Sequence, residues 1–237
     1  KADEPFTLLL DEVAPDFAEG YTNRANVRVA MGSLDAALTD YDDALRIAPQ
    51  AADAWVTHLN RGSTLVALQR PKEALEDLEL SVRLSKGDKL ALLGRGSALH
   101  EMGLYERAAA DYGGVLDKSP LDIQPYWLRY AMELYQCDRR SEALGIARRV
   151  GAKFDLEPEV VAAVPSMLWA SGSDAEREEA RQRWRMAPSA VREKARAFFG
   201  TPSAKAQERQ WPPSLVSAAG DFDRGLRDLG EPEYVLK

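Results

Sequence analysis

Chemistry needs nucleophiles, acids, bases or metal ligands at workable spacings, and this chain offers few. His58 and His100 are its two histidines and Cys137 its one cysteine. A metal site needs a cluster of His, Cys or paired carboxylates, and none of these three residues has that company in the sequence. Cys137 stands beside Asp138, Arg139 and Arg140. Neighbouring guanidiniums favour a thiolate, the setting of a redox-reactive cysteine; a plain packed or surface thiol is the reading taken. The acidic runs at 40–43 and 176–179 read as solvated helix faces rather than acid/base pairs. The sequence shows no phosphate-cradling glycine run and no nucleophile elbow. The expectation is a non-enzymatic protein with no catalytic residue, no metal ligand and no cofactor.

The composition narrows the partner. The chain has 237 residues, 45% hydrophobic and 29% charged, which suits a folded chain rather than a disordered or membrane-embedded one. Its 31 basic and 38 acidic residues give a net charge of −7, a poor match for nucleic acid, whose phosphates demand a basic face. One cysteine excludes an intrachain disulfide. The longest uncharged apolar stretch, 160–170, is shorter than the ~18–20 residues of a membrane span. The expected partners are therefore proteins, with any membrane association peripheral and made through the partner. The chain opens at Lys1, so a processed or truncated N-terminus is expected.

The elements that would position any site come from a repeat. The stretches 18–51, 55–88, 89–122 and 124–157 align, each 34 residues long. A small residue stands eighth in each: Ala25, Gly62, Gly96 and Ala131. Alanine stands twentieth in each: Ala37, Ala74, Ala108 and Ala143. Tyr41, Leu78 and Tyr112 stand twenty-fourth in the first three, and Ala147 in the fourth. Such a period predicts pairs of antiparallel helices. Small residues let the paired backbones approach, and large ones fill the space between pairs. The turns within pairs are predicted at Met31-Gly32-Ser33, Leu68-Gln69-Arg70, Met102-Gly103-Leu104 and Cys137-Asp138-Arg139. Gly32 and Gly103 suit a left-handed helix end, and Pro49 and Pro120 stop second helices.

This pattern resembles the tetratricopeptide repeat (TPR) family. The resemblance implies an all-α fold: a right-handed superhelical solenoid of TPR helical hairpins with a C-terminal helical cap. Residues 1–17 read as a truncated or capping repeat helix, 18–157 as four repeats, and 158–237 as a degenerate fifth pair and cap, with Pro165 expected to interrupt the pair's first helix. A narrower likeness lies in three runs: Ala-Pro-Asp-Phe-Ala-Glu-Gly-Tyr-Thr-Asn-Arg-Ala-Asn-Val-Arg-Val at 14–29, Leu-Trp-Ala-Ser-Gly around Trp169, and Gln-Trp-Pro-Pro at 210–213. They resemble a TPR family of cyanobacteria and plastids, whose plant members are chloroplast lumen proteins. That implies a thylakoid lumen protein serving a photosystem or its assembly intermediates, as assembly factor or lumenal-side subunit. The alternative is a soluble bacterial or cytosolic TPR adaptor, placed in the cytoplasm.

In TPR arrays the first helix of each pair lines a concave groove. The resemblance places Asn23, Asn26, Asn60, Ser63, Ser97, His100, Arg129, Met132 and Tyr135 there, as partner-binding residues. Asparagine both donates to and accepts from an extended backbone, while Met132 and Tyr135 suit apolar side chains. Co-chaperone TPRs clamp the C-terminal carboxylates of heat-shock proteins with two asparagines and several cations. Asn26 and Asn60 match that pattern, but Thr22, Leu90 and Gly94 stand where the cations belong, which argues against a clamp. Arg24, Arg61 and Arg95 recur seventh in three repeats. They would either bind a carboxylate-rich partner or pair with acids such as Asp40 and Asp77; the second is favoured. Trp211 either pins the cap or is an exposed anchor for a partner.

Overall fold

The structure, a computed structural model, describes residues 2–118, 120–199, 206 and 208–230. It contains thirteen α-helices and no strand among the described residues, bearing out the all-α expectation. The chain divides into two compact units, residues 1–118 and 119–237.

The first unit opens with α1 (Glu4–Leu8), which runs on as a π-helical turn, Leu9–Val13. Three hairpins follow: α2 (Ala18–Ala30) with α3 (Leu34–Ile47), α4 (Ala54–Ala67) with α5 (Pro71–Leu84), and α6 (Lys89–Glu101) with α7 (Tyr105–Lys118). The second unit holds two more, α8 (Tyr126–Gln136) with α9 (Arg140–Lys153) and α10 (Pro158–Ala170) with α11 (Asp174–Met186). It then closes with α12 (Ser189–Ala195), a 3₁₀ turn (Arg196–Phe198) and α13 (Pro213–Asp228). Helix α10 runs through Pro165 without ending there, and its residues 160–168 are all buried, where surrounding helices sustain it.

Each hairpin is closed by the same device. The fifteenth place of every repeat has a left-handed backbone: Gly32 at φ +77°, Gln69 at +59°, Gly103 at +71° and Asp138 at +60°. Gly172 takes the corresponding place in the fifth pair, at φ +90°. In the four repeats the next residue's N–H then reaches back five residues, as Ser33 to the Arg28 carbonyl (2.8 Å) and Arg70 to Leu65 (2.9 Å). This is the Schellman pattern, which satisfies carbonyls left over at the helix end. Glycine reaches it without strain, whereas glutamine and aspartate do so at a cost.

Between paired helices the small residues carry the contact. Ala25, Ala37, Ala74, Ala108, Ala131 and Ala143 are fully buried. A methyl group at Gly62 would stand 2.7 Å from the Leu78 side chain, and one at Gly96 would stand 3.1 Å from the Tyr112 ring. The eighth and twenty-fourth places of a repeat thus face each other, and bulk at one requires its absence at the other.

Gln69→Gly relieves the left-handed strain and is expected to stabilise the chain by about 0.5–1 kcal/mol, while Gly32→Ala destabilises it by a similar amount. Urea unfolding followed by circular dichroism checks both; a loss of stability in Gln69→Gly would refute the assignment of strain.

Candidate partner-binding faces

An ion pair recurs beside each of the first three close contacts. Arg24 grips Asp40 with two nitrogens at 3.0 and 2.7 Å. Arg61 grips Asp77 at 2.8 and 2.7 Å, and Arg95 grips Asp111 at 2.8 and 2.6 Å. Each pair joins the seventh and twenty-third places of its repeat, crossing from first helix to second. The favoured structural reading of these arginines therefore holds, and Asp111 completes the set. The carboxylates are buried: side-chain exposure is 1% for Asp40, 5% for Asp77 and 5% for Asp111. Arg28 adds a second guanidinium to Asp40 at 2.7 Å, and the His58 Nδ1 lies 2.8 Å from Asp77. Arg61 also reaches Asp42 on α3 at 2.6 Å, tying the second hairpin to the first. The fourth repeat has Tyr130 and Ile146 at these places. There Arg149 instead donates to the Pro120 carbonyl at 2.6 Å and lies over the Trp127 ring.

The first-helix face of the first unit is formed by α2, α4 and α6, which pack in series. Asn26 and Ser63 are exposed there, and Asn23, Asn60 and Ser97 are half-buried. The Asn60 amide donates to the Asn26 Oδ1 at 3.1 Å, and the Tyr41 hydroxyl donates to the same oxygen at 2.7 Å. That fixes the Asn26 rotamer. Burial pushes the Tyr41 phenol up to about 12, with the nearby Asp40 charge acting in the same direction against a hydrogen bond to Thr64. The Thr22 and Thr57 hydroxyls meet at 3.2 Å. A methyl group at Gly94 would stand 2.6 Å from Leu59, so α4 and α6 touch closely at that point.

Other expected groove residues lie elsewhere. His100 is buried, because the last turn of α6 folds its ring edge-on to Tyr105, with centroids 5.6 Å apart. Met132 and Tyr135 are both 1% exposed. Burial pushes the Tyr135 phenol up, and Asp221 on α13 and Asp138 add to that against Arg140. Arg129 donates to the carbonyls of Arg209 and Gln210 at 3.0 and 3.1 Å. Trp211 is buried, stacks on Phe198 at 4.9 Å and donates its Nε1–H to Glu159 at 2.9 Å. It pins the C-terminal segment and is no exposed anchor. In the second unit the physical reason is shared: α13 packs on α8 and α10, the first helices of that unit. No repeat period extends into α13, so the repeat alignment does not show that the segment returns over its own first helices.

Among the described residues, no cluster of three or more His, Cys, Asp or Glu could hold a metal ion, and no helix is long and apolar enough to cross a membrane. Cys137 is half-buried at its turn.

The fold and these faces define a class, the helical-hairpin repeat proteins. Residues 18–50 match the tetratricopeptide repeat family, and the chain has the TPR solenoid fold. It is 37% identical over 67 residues to Protein FlbA of Caulobacter vibrioides, covering 28% of this chain and 11% of that protein. It is 26% identical over 135 residues to a DnaJ homolog subfamily C member 7 homolog of Schizosaccharomyces pombe, covering 55% of this chain and 28% of the relative. The chain thus spans about a tenth and about a quarter of the relatives it matches. Among solved structures it is similar to YrrB, described as a TPR protein with an unusual peptide-binding site. The TM-score is 0.62 at 21% identity, over 82% of this chain and 92% of YrrB.

Two predictions come from the ion pairs. Arg95→Met leaves Asp111 buried without its clasp and is expected to cost about 2–3 kcal/mol, whereas Arg95→Met with Asp111→Leu recovers most of that loss. Chemical unfolding of both variants decides it; equal losses would show that the pair itself is the stabilising element. The second concerns acid. Burial alone would raise Asp77, but hydrogen bonds from His58 and Arg61 outweigh it and hold the carboxyl below its ordinary range. Burial likewise opposes Arg148 and Arg183 at Glu179, and the arginines win. A carboxyl depressed in the folded state stabilises fully above its unfolded value and loses that contribution as pH falls through the folded one. The melting temperature is expected to hold above pH ~5 and to fall below pH ~4. Asp77→Asn should flatten part of that fall, and an unchanged acid slope would count against it.

Proposed function

We propose that this chain is a protein-interaction scaffold that grips an extended segment of a partner on the first-helix face of its first unit. The observation that carries the reading is the uncharged row of Asn23, Asn26, Asn60, Ser63 and Ser97 across three adjoining hairpins. Amides and hydroxyls donate and accept alike, so they suit a peptide backbone whose N–H and C=O groups alternate. A face held by packed hairpins needs little rearrangement on binding. TPR repeat proteins are in general non-enzymatic scaffolds, and the absence of a catalytic set in the sequence agrees with that. A terminal carboxylate is not what this face reads: Thr22 is engaged with Thr57, and Gly94 lies against Leu59.

The partner class we propose is a photosynthetic membrane-protein complex or its assembly intermediates, met in the thylakoid lumen. Its support is the likeness of the short runs at 14–29, around Trp169 and at 210–213. The competing reading, a soluble bacterial or cytosolic adaptor, is favoured by relatives from Caulobacter and fission yeast. Recovery with a photosynthetic complex from gently solubilised thylakoids separates the two.

The face itself is tested without a known partner. Peptides selected from a displayed random library on the full chain should include extended binders. Asn23→Ala with Asn60→Ala should weaken them by roughly 5- to 30-fold at unchanged helicity, as two neutral hydrogen bonds require. Unaltered affinity would move the site off this face.

A further inference from the structure

The two units differ in what covers their first helices. In the second unit that face is occupied by the chain's own α13, which packs along α10 and α8. Its buried side carries Leu215, Ala218, Ala219, Phe222 and Leu226, with Gly220 and the Arg227-paired Asp223 buried beside them, while Ser217, Arg224, Arg227 and Asp228 look outward. Phe222 sits in an aromatic nest, with ring centroids 5.7 Å from Trp169, 5.8 Å from Trp184 and 5.7 Å from Phe199. Gly225 passes against Trp169 so closely that a methyl group there would stand 2.1 Å from the indole.

The polar attachments are gathered at one end. Gln136 on α8 accepts from the Ser214 N–H at 2.9 Å. Arg129 holds the carbonyls of Arg209 and Gln210, and Trp211 is tied to Glu159. These are the groups a peptide ligand would meet on a first-helix face: a side-chain amide, a guanidinium on backbone carbonyls and an aromatic pocket. The hairpins beneath keep their own internal packing, α8 on α9 and α10 on α11, so the receptor and its occupant are separate parts of one chain.

We propose that the first-helix face of the second unit is a helix-binding site that α13 occupies in cis, shutting it to a partner helix of the same apolar register. The partner's chemistry is read from α13. It is an amphipathic helix with a leucine, a phenylalanine two turns later and a leucine one turn beyond, and with glycine just before the last. The phenylalanine filling the aromatic nest is the anchor. A site occupied in cis binds in trans more weakly by the fraction of molecules in which it stands open. This inference does not rest on the peptide-binding role proposed for the first unit.

The probe is a fluorescein-labelled synthetic peptide copying residues 210–230, added to the full-length chain. Two variants loosen α13 by different means. Gly225→Ala drives a methyl group into Trp169, and Leu215→Ala with Leu226→Ala strips two buried contacts from α13; both changes lie on the occupant and leave the face beneath it intact. Both are expected to bind the peptide at least ~10-fold more tightly than the wild-type chain does, and a peptide carrying Phe222→Ala should lose that binding. Equal affinity for wild type and both variants would overturn the proposal, since the site would then stand open. So would two variants of wild-type helicity and mass that bind no peptide, since α13 would then be an inseparable cap. A wild-type dimer by light scattering whose copies exchange α13 would assign the occupant to a second copy and overturn it as well. The probe copies a helix of the second unit, so its failure leaves the reading of the first unit untouched.

Discussion

The close approach of the two helices in each hairpin is the constraint on which the rest of the molecule depends. Buried alanine or glycine at the eighth and twentieth places sets it, and the neighbouring places inherit their geometry from it. Position twenty-four, opposite the eighth, has room for Tyr41, Leu78 or Tyr112. Positions seven and twenty-three flank that contact, so an arginine and an aspartate there come within reach of a two-pronged clasp. A buried ion pair recovers its desolvation cost at best. The clasps act more through what they forbid, because a hairpin slipped by one residue would bury Asp40, Asp77 or Asp111 with no guanidinium beside it.

This hierarchy explains how much could be read from the sequence. Residues that answer to a periodic constraint were legible: the small places, the turn tripeptides and the partners of Arg24 and Arg61. His58 joining Asp77 and Arg28 joining Asp40 were not, because neither recurs from repeat to repeat. The exposure of the candidate residues was legible only where nothing from outside the repeat intrudes. Asn23, Asn26, Asn60, Ser63 and Ser97 are exposed or half-buried on the first-helix face, as family geometry implies. Met132, Tyr135 and Arg129 hold first-helix places in the repeat but lie where α13 and the residues just before it pack on α8. That segment has no period to align, and only its amphipathic stripe and the preceding Trp-Pro-Pro hint that it packs.

The first-helix faces therefore differ in kind. In the first unit the exposed groups are amides and hydroxyls, with the Asn26–Asn60–Tyr41 bonds holding two of them in place. In the second unit the face is aromatic and apolar, closed by a helix that matches it. Neutral hydrogen-bonding groups suit an extended strand, whose polar backbone is exposed. An apolar nest suits a helix, whose backbone bonds are already made and whose side chains carry the affinity.

Electrostatics limits how such faces can select a partner. The chain carries a net charge of −7, yet the arginines nearest the first unit's face are engaged by Asp40, Asp77 and Asp111. A guanidinium already paired with a buried carboxylate has little field left for a partner's acids, and salt screens the rest beyond roughly 8–10 Å. If the proposed face binds, long-range steering would be a small part of recognition there, and association would proceed at an ordinary, weakly salt-dependent rate. Discrimination falls to short-range fit, which acts through the dissociation rate. A partner misplaced on the asparagine row leaves amides unsatisfied, and one misplaced on the aromatic nest leaves a void. Selectivity on the two proposed faces would thus follow from the rigidity that the close helix contacts supply.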